Sequence, residues 1–230
     1  MTTAPNGSPA SRVAIVTGGS RGVGQATARR LAARGYAVVV NYLHDQRAAE
    51  TAVEAILADN GNAVAVRADV ADDLDVTRLF AETITAFGGV DAVVHAVGSR
   101  ITASPVTEAD VDEFDALVRI NTRATFVVSQ QAARHLRDGG ALVNLSSSAE
   151  GSSLRTYGLY AATKAITNVL TQTLALELRE RDITVNAVSP AIHGPCIPDR
   201  VTDIIAYLLS DHGHRLTGQI LGVADAELRP

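Results

Sequence analysis

A doubly wound, mostly parallel α/β sheet with helices on both faces is the fold this sequence predicts, and three observations predict it. Apolar runs alternate with amphipathic stretches along the whole chain, the rhythm of strands and helices joined by right-handed crossovers. Hydrophobic residues make up 47% but aromatics only 4%, so the core is built mainly from Ala, Val, Ile and Leu, as buried parallel strands require. A glycine-rich turn separates the first apolar run from the first helical pattern, where such a sheet turns tightly from strand into helix.

The elements follow in order. Residues 12–17 (RVAIVT) read as a buried strand, and the glycine turn leads into a helix to about Arg34 that Gly35 ends. Residues 36–42 (YAVVVNY) are the second strand, 45–59 a helix and 63–67 the third strand. Residues 72–87 are helical, stopped by Gly88-Gly89, and 90–95 form the fourth strand. Helical patterns over 107–119 and 121–137 break at Asp138-Gly139-Gly140, before a fifth strand over 141–146. A long helix over 158–181, a sixth strand over 184–188, a short helix over 200–210 and a last strand over 219–223 complete a seven-stranded, Rossmann-like sheet. No linker splits the chain, which predicts one domain over 12–230 behind a flexible tail, 1–11.

Charge and composition exclude several function classes. Net charge is -5 with no basic stretch, so nucleic-acid binding has no electrostatic support. Cys196 is the only cysteine, which rules out an internal disulfide and points to a reducing compartment. The first eleven residues lack the basic start and apolar run of a signal peptide. No apolar run reaches membrane-spanning length. A soluble, cytoplasmic protein with no membrane partner and no metal site is the expectation.

The turn Thr17-Gly18-Gly19-Ser20-Arg21-Gly22-Val23-Gly24 carries the first chemistry. Gly18 suits the tight turn, Gly22 admits a pyrophosphate close to the backbone, and Gly24 allows close helix-strand packing. The helix behind it offers free N–H groups and a positive dipole end. A plain structural turn is the other reading of a glycine run by itself. At the end of the second strand, where NAD enzymes hold the ribose with an acid, stands Val40-Asn41-Tyr42 with no acid. Arg21 suits a 2′-phosphate, unless it is simply a solvated loop charge. NADP(H) is therefore the expected cofactor, held by Gly18, Ser20, Arg21, Gly22, Val23, Gly24, Asn41 and Tyr42.

Tyr160-Ala-Ala-Thr-Lys164 is the most informative segment, and Lys164 is the only lysine of the chain. Residues four apart share a helix face, which puts a phenol beside an ammonium. A free tyrosine titrates near ~10, while a proton donor works best near the operating pH. A neighbouring cation favours the phenolate, and a fall of about three pKa units corresponds to roughly 4 kcal/mol.

The glycine spacing, together with this Tyr-x-x-x-Lys and its order along the chain, resembles the classical short-chain dehydrogenase/reductase family, from Arg12 to about Gly222. The resemblance implies hydride transfer between nicotinamide and a carbonyl or alcohol, with Tyr160 as proton donor. Lys164 would tune Tyr160 and bind the nicotinamide ribose. Ser147, thirteen residues before Tyr160, would polarise the carbonyl; Ser146 and Ser148 leave that register open by one. Asn121 would hold a relay water, or act as a helix cap. Asp69 and Val70 would meet the adenine, with Asp72 as the better cap for its helix. Ala96, Gly98, Pro190 and Ile192 would complete the cofactor site.

Departures from the family pattern matter as well. The usual Asn-Asn-Ala-Gly after the fourth strand is His95-Ala96-Val97-Gly98, and Pro-Gly after the sixth is Pro190-Ala191. His95 reads as structural, because it ends a buried strand; His193 faces nicotinamide or solvent. Only residues 191–200 stand where relatives place a long helical lid, so the pocket is expected to be open, or covered by another subunit. The C-terminal Val223-Ala-Asp-Ala-Glu replaces a Gly-Gly pair. A small-molecule carbonyl substrate follows, of bulky polyketide, polycyclic aromatic or quinone type, in a homo-oligomer (tetramer or dimer). A reductase supplying a reduced quinone-like substrate for oxygenation, and a non-catalytic cofactor-binding homologue, are the alternatives.

Overall fold

The computed structural model describes residues 12–99, 104–147, 156–190 and 198–223; the expected tail lies outside them. The first half of the chain alternates as expected: β1 (Val13–Thr17), α1 (Gly22–Ala32), β2 (Ala37–Tyr42), α2 (Gln46–Ala58), β3 (Asn62–Arg67), α3 (Asp73–Phe87) and β4 (Val90–His95). The second half holds α4 (Val111–Leu117), α5 (Ala124–His135), β5 (Leu136–Leu145), α6 (Gly158–Glu177), β6 (Thr184–Pro190), α7 (Pro198–Leu208) and β7 (Ile220–Val223). All seven strands form one sheet, in the order β3-β2-β1-β4-β5-β6-β7, and every pairing is parallel. The order reverses between β1 and β4, so a crevice opens beyond the carboxyl ends of those strands.

The period of two along each strand divides the core into two layers. Val16, Val40 and Val94 pack with Leu31 of α1, Ile56 of α2 and Ile205 of α7 on one face. On the other, Ile15, Val39, Val93 and Leu142 pack with Phe80 of α3, Val128 of α5 and Leu174 of α6. Covering both faces removes the strands from water, which is why they carry few polar residues until their carboxyl ends.

Two expected boundaries are corrected. The helical patterns on either side of Ile120 are one continuous run, joined by a π turn over Val118–Arg123; nothing in a 3.6-residue apolar period signals an extra residue in a turn. The fifth strand starts at Leu136 instead of at residue 141. Asp138-Gly139-Gly140, read as a break, lies inside the strand at a register shift against β4. Gly139 has φ +77, and a Cβ on Gly140 would sit 2.8 Å from the Arg137 carbonyl oxygen, so these glycines serve an irregular strand.

Helix ends follow side-chain chemistry. The Asp72 carboxylate accepts from Leu74 N–H and Asp75 N–H at the start of α3. Gly88, at φ +83, closes the same helix in the left-handed region, which glycine adopts without a steric penalty.

Candidate active site

The glycine turn is held by its own backbone. Gly18 and Gly22 have φ +63 and +56, conformations that a side chain would strain. A Cβ on Gly24 would collide with the Gly18 carbonyl oxygen, so its close contact is with the turn itself, where helix-strand packing was expected. A Cβ on Gly22 would meet nothing within 4 Å; its left-handed φ is what requires glycine there. Arg21 precedes α1 in an extended conformation without a side-chain cap, and the first turn of α1 has no acidic residue. Backbone N–H groups and the positive end of the helix therefore meet no carboxylate from that turn.

A cleft of about 760 Å³ opens from this turn across the carboxyl ends of the strands. Gly18, Ser20, Arg21, Gly22, Val23 and Gly24 line it, and so do Asn41, Tyr42, Asp69, Val70, Ala96 and Gly98. Ser147, Tyr160, Lys164 and Pro190 line the same cleft. Ile192, His193 and Cys196 lie outside the described residues. Leu43, His44 and Asp45 also face the cleft and were missed; their signal was position alone, directly after a strand that ends at the crevice.

Several polar residues are committed differently from the expectation. Asn41 is buried, and its amide donates to the Ala68 carbonyl at 3.0 Å and accepts from Gly18 N–H at 3.4 Å. It braces the glycine turn against the end of β3, so its hold on a ligand runs through Gly18. Asp69 is not free: its carboxylate accepts from Arg119 at 2.8 Å and from Ala71 N–H at 2.9 Å. Burial alone would raise its pKa, but the Arg119 and Ala71 hydrogen bonds outweigh that and lower it. Asp72, as expected, is the helix cap.

Asn121 lies in the π turn, sealed from solvent behind the cleft. Its amide donates to the Ser99 carbonyl and to Thr163 Oγ1, both at 3.0 Å, and accepts from Ser99 N–H at 2.9 Å. Both donors are taken by protein, which leaves the side chain no N–H for the expected relay water; nor does it cap a helix. It latches the π turn to α6. Thr163 passes the latch on, donating to the Tyr160 carbonyl at 2.9 Å.

Tyr160 and Lys164 are both buried, one helical turn apart on α6. The Lys164 ammonium donates to the Leu145 carbonyl at 2.9 Å. A Cβ on Gly98 would stand 3.0 Å from Lys164 Nζ, so the bare glycine gives the ammonium room that a side chain would crowd. At the end of β5 the Ser146 hydroxyl donates to Asn168 Oδ1 at 2.9 Å, while Ser147 lies buried against the cleft; Ser148 is outside the described residues. His95 is wholly buried, with Nδ1 2.9 Å from Thr17 Oγ1. Burial and then the Lys164 charge push its pKa down to about 3, so the ring is neutral at working pH.

Among the described residues there is no His/Cys/Asp/Glu cluster able to hold a metal, and no helix is long and apolar enough to cross a membrane.

Known proteins resemble this arrangement over most of its length. The short chain dehydrogenase family model matches residues 12–197. The hydroxynaphthalene reductase-like protein Arp2 of Metarhizium brunneum is 40% identical over 182 residues, covering 79% of this chain and 68% of that protein. Versicolorin reductase stcU of Emericella nidulans is 31% identical over 254 aligned positions, covering 95% of this chain and 96% of the relative. That alignment is longer than the 230-residue chain, so the relative has segments that this chain lacks. A short chain dehydrogenase from Burkholderia cenocepacia J2315, solved in complex with NADP, superposes with a TM-score of 0.83 at 34% identity, covering 92% of this chain and 96% of that one. Matched from its first strand to beyond its sixth, the chain belongs to the short-chain dehydrogenase/reductase family of oxidoreductases.

Proposed function

We propose that the chain is an NADP(H)-dependent carbonyl reductase acting on a bulky, flat aromatic or quinone-like substrate. The observation that carries this reading is a buried phenol, Tyr160, one turn from a buried ammonium, Lys164, in a cleft that also holds a glycine cradle fixed by left-handed φ at Gly18 and Gly22 and a close approach at Gly24. The cradle, the open end of α1 and the length of the cleft from Arg21 to Pro190 fit a dinucleotide. When bound, the nicotinamide supplies the hydride.

Around it, the chain's own residues divide the work. Ser147 donates a hydrogen bond to the substrate oxygen and stabilises charge developing there. Tyr160 delivers the proton to that oxygen. The Lys164 ammonium favours the phenolate that remains and holds the nicotinamide ribose. Asn121 is a positioning residue, since it fixes Thr163 between Tyr160 and Lys164. Asp69, oriented by Arg119, and Val70 flank the adenine. Ala96, Gly98 and Pro190 close the nicotinamide end.

The substrate class rests on two supports. One relative is named for hydroxynaphthalene, a fused aromatic ring system. Only residues 191–197 separate β6, whose Pro190 lines the cleft, from α7, and so short a connection suits a large ligand. Mixing the protein with NADPH and a panel of monocyclic ketones, fused-ring ketones and quinones tests the reading. Oxidation of NADPH is expected with the fused-ring or quinone members. Tight NADPH binding with no turnover on any member favours the non-catalytic alternative.

The same reading includes a homo-oligomer. Phe126 on α5 and Val169 and Leu176 on α6 are apolar yet 46%, 61% and 71% exposed, and pairing of copies would cover them. Light scattering on the eluting protein is expected to give the mass of a dimer or tetramer; a monomer mass contradicts it.

A further inference from the structure

One buried titratable group has no part in that chemistry. His95 ends β4 with Thr17 of β1 and Asn144 of β5 as its register partners on either side. Residues in register on neighbouring parallel strands stand about 5 Å apart and point to the same face. Alternation along β1, β4 and β5 puts all three on the face of Ile15, Val93 and Leu142, toward α5 and α6. All three are fully buried. A row of polar side chains thus crosses the core at the floor of the cleft.

The hydrogen bonds in this row have a direction. Thr17 Oγ1 accepts from Ala96 N–H at 3.1 Å, and it lies 2.9 Å from His95 Nδ1. Of the two neutral tautomers, only the one with Nδ1 bare gives the Thr17 hydroxyl proton an acceptor in this row. The ring proton then sits on Nε2. That nitrogen has no partner among the described residues, and neither does Asn144 Oδ1. A donor and an acceptor, both sealed from water, are left over on register-paired residues. Leaving both unmade is costly in a buried site. Beyond them, Asn144 Nδ2 donates to Thr171 Oγ1 on α6 at 3.4 Å.

We propose that His95 is a positioning residue for the cofactor site, its Nδ1 accepting from the Thr17 hydroxyl. The row it completes ties together the two backbone segments that line the dinucleotide cleft. Thr17 leads directly into the glycine turn, and Ala96 begins the stretch to Gly98 that packs on Lys164. The neutral ring serves as a fixed acceptor for the Thr17 hydroxyl. This rests on reading the cleft as a dinucleotide site, and it concerns affinity for the dinucleotide, whichever carbonyl is reduced.

Two measurements test it. Nitrogen-15 NMR of the histidine rings in the ligand-free wild type is expected to show His95 protonated on Nε2 and bare on Nδ1; a ring protonated on Nδ1 overturns the proposal. Dinucleotide affinity is then compared in three variants by fluorescence titration. Thr17→Val and His95→Leu each remove the Thr17–His95 hydrogen bond while keeping bulk, and each is expected to weaken binding about tenfold. His95→Asn loses bulk but keeps an acceptor where Nδ1 stood, and is expected to stay within about threefold of wild type. A role in packing alone predicts the opposite order, with Leu tolerated better than Asn. Equal affinities in all folded variants, or Leu binding better than Asn, overturn the proposal. Where His95→Leu fails to fold, Thr17→Val and the ring tautomer still decide. A wild type that binds dinucleotide but reduces no carbonyl refutes the proposed function and leaves this inference standing.

Discussion

Replacing Tyr160 by Phe is expected to lower kcat by roughly 10²–10⁴-fold, the usual contribution of a positioned general acid. Cofactor affinity and fold should survive. The substitution removes one oxygen and leaves the ring where Tyr157 and Ala161 pack against it. The latch beneath it is also untouched, because Thr163 bonds to the Tyr160 carbonyl and not to the phenol. Steady-state kinetics at saturating dinucleotide, with affinity measured separately by fluorescence titration, check the split. Activity within about tenfold of wild type would mean that another group supplies the proton. Loss of dinucleotide binding instead would make the phenol a structural part of the cleft.

The second large effect concerns which nicotinamide cofactor is used. NADPH is expected to be preferred over NADH in kcat/KM by about ten- to a hundredfold, and Arg21→Ala to remove most of that preference. A hydrogen bond to a charged group contributes roughly 1.5–3 kcal/mol, which converts to that range. Arg21 is exposed at the edge of the cleft, and the β2 position where an acid would select NADH is the buried amide of Asn41. Asp45, a carboxylate that lines the cleft just after β2, accepts from Ala48 N–H at the start of α2, which draws it toward the helix. The competing measurements are kcat/KM for each dinucleotide in wild type and variant. A clear NADH preference in the wild type contradicts the reading.

Much of this architecture was legible in the sequence because its signals are local. Strand-and-helix alternation, the glycines of the first turn and Tyr160-x-x-x-Lys164 are each a property of a few neighbouring residues. Every described residue expected to hold the cofactor lines one cleft. What the sequence hid depends on distant partners. The ion pair of Asp69 was hidden because its partner Arg119 lies fifty positions further on. The bracing partner of Asn41 and the latch partners of Asn121 were hidden because nothing near them in the chain reveals Ala68, Ser99 or Thr163. The π turn escaped because apolar periodicity does not register one extra residue in a helix. Asp138-Gly139-Gly140 looked like a loop because glycine marks irregular strands and turns alike.

In the proposed function this cleft passes a hydride to a carbonyl carbon while Tyr160 passes a proton to its oxygen. The most direct measurement is to react the wild-type protein with a fused-ring ketone and NADPH carrying deuterium at the transferable nicotinamide position, then locate the label in the product by mass spectrometry and NMR. One deuterium on the new carbinol carbon and an unlabelled hydroxyl are expected. Product without deuterium at that carbon, or no product from a protein that binds the dinucleotide, would contradict the proposed function.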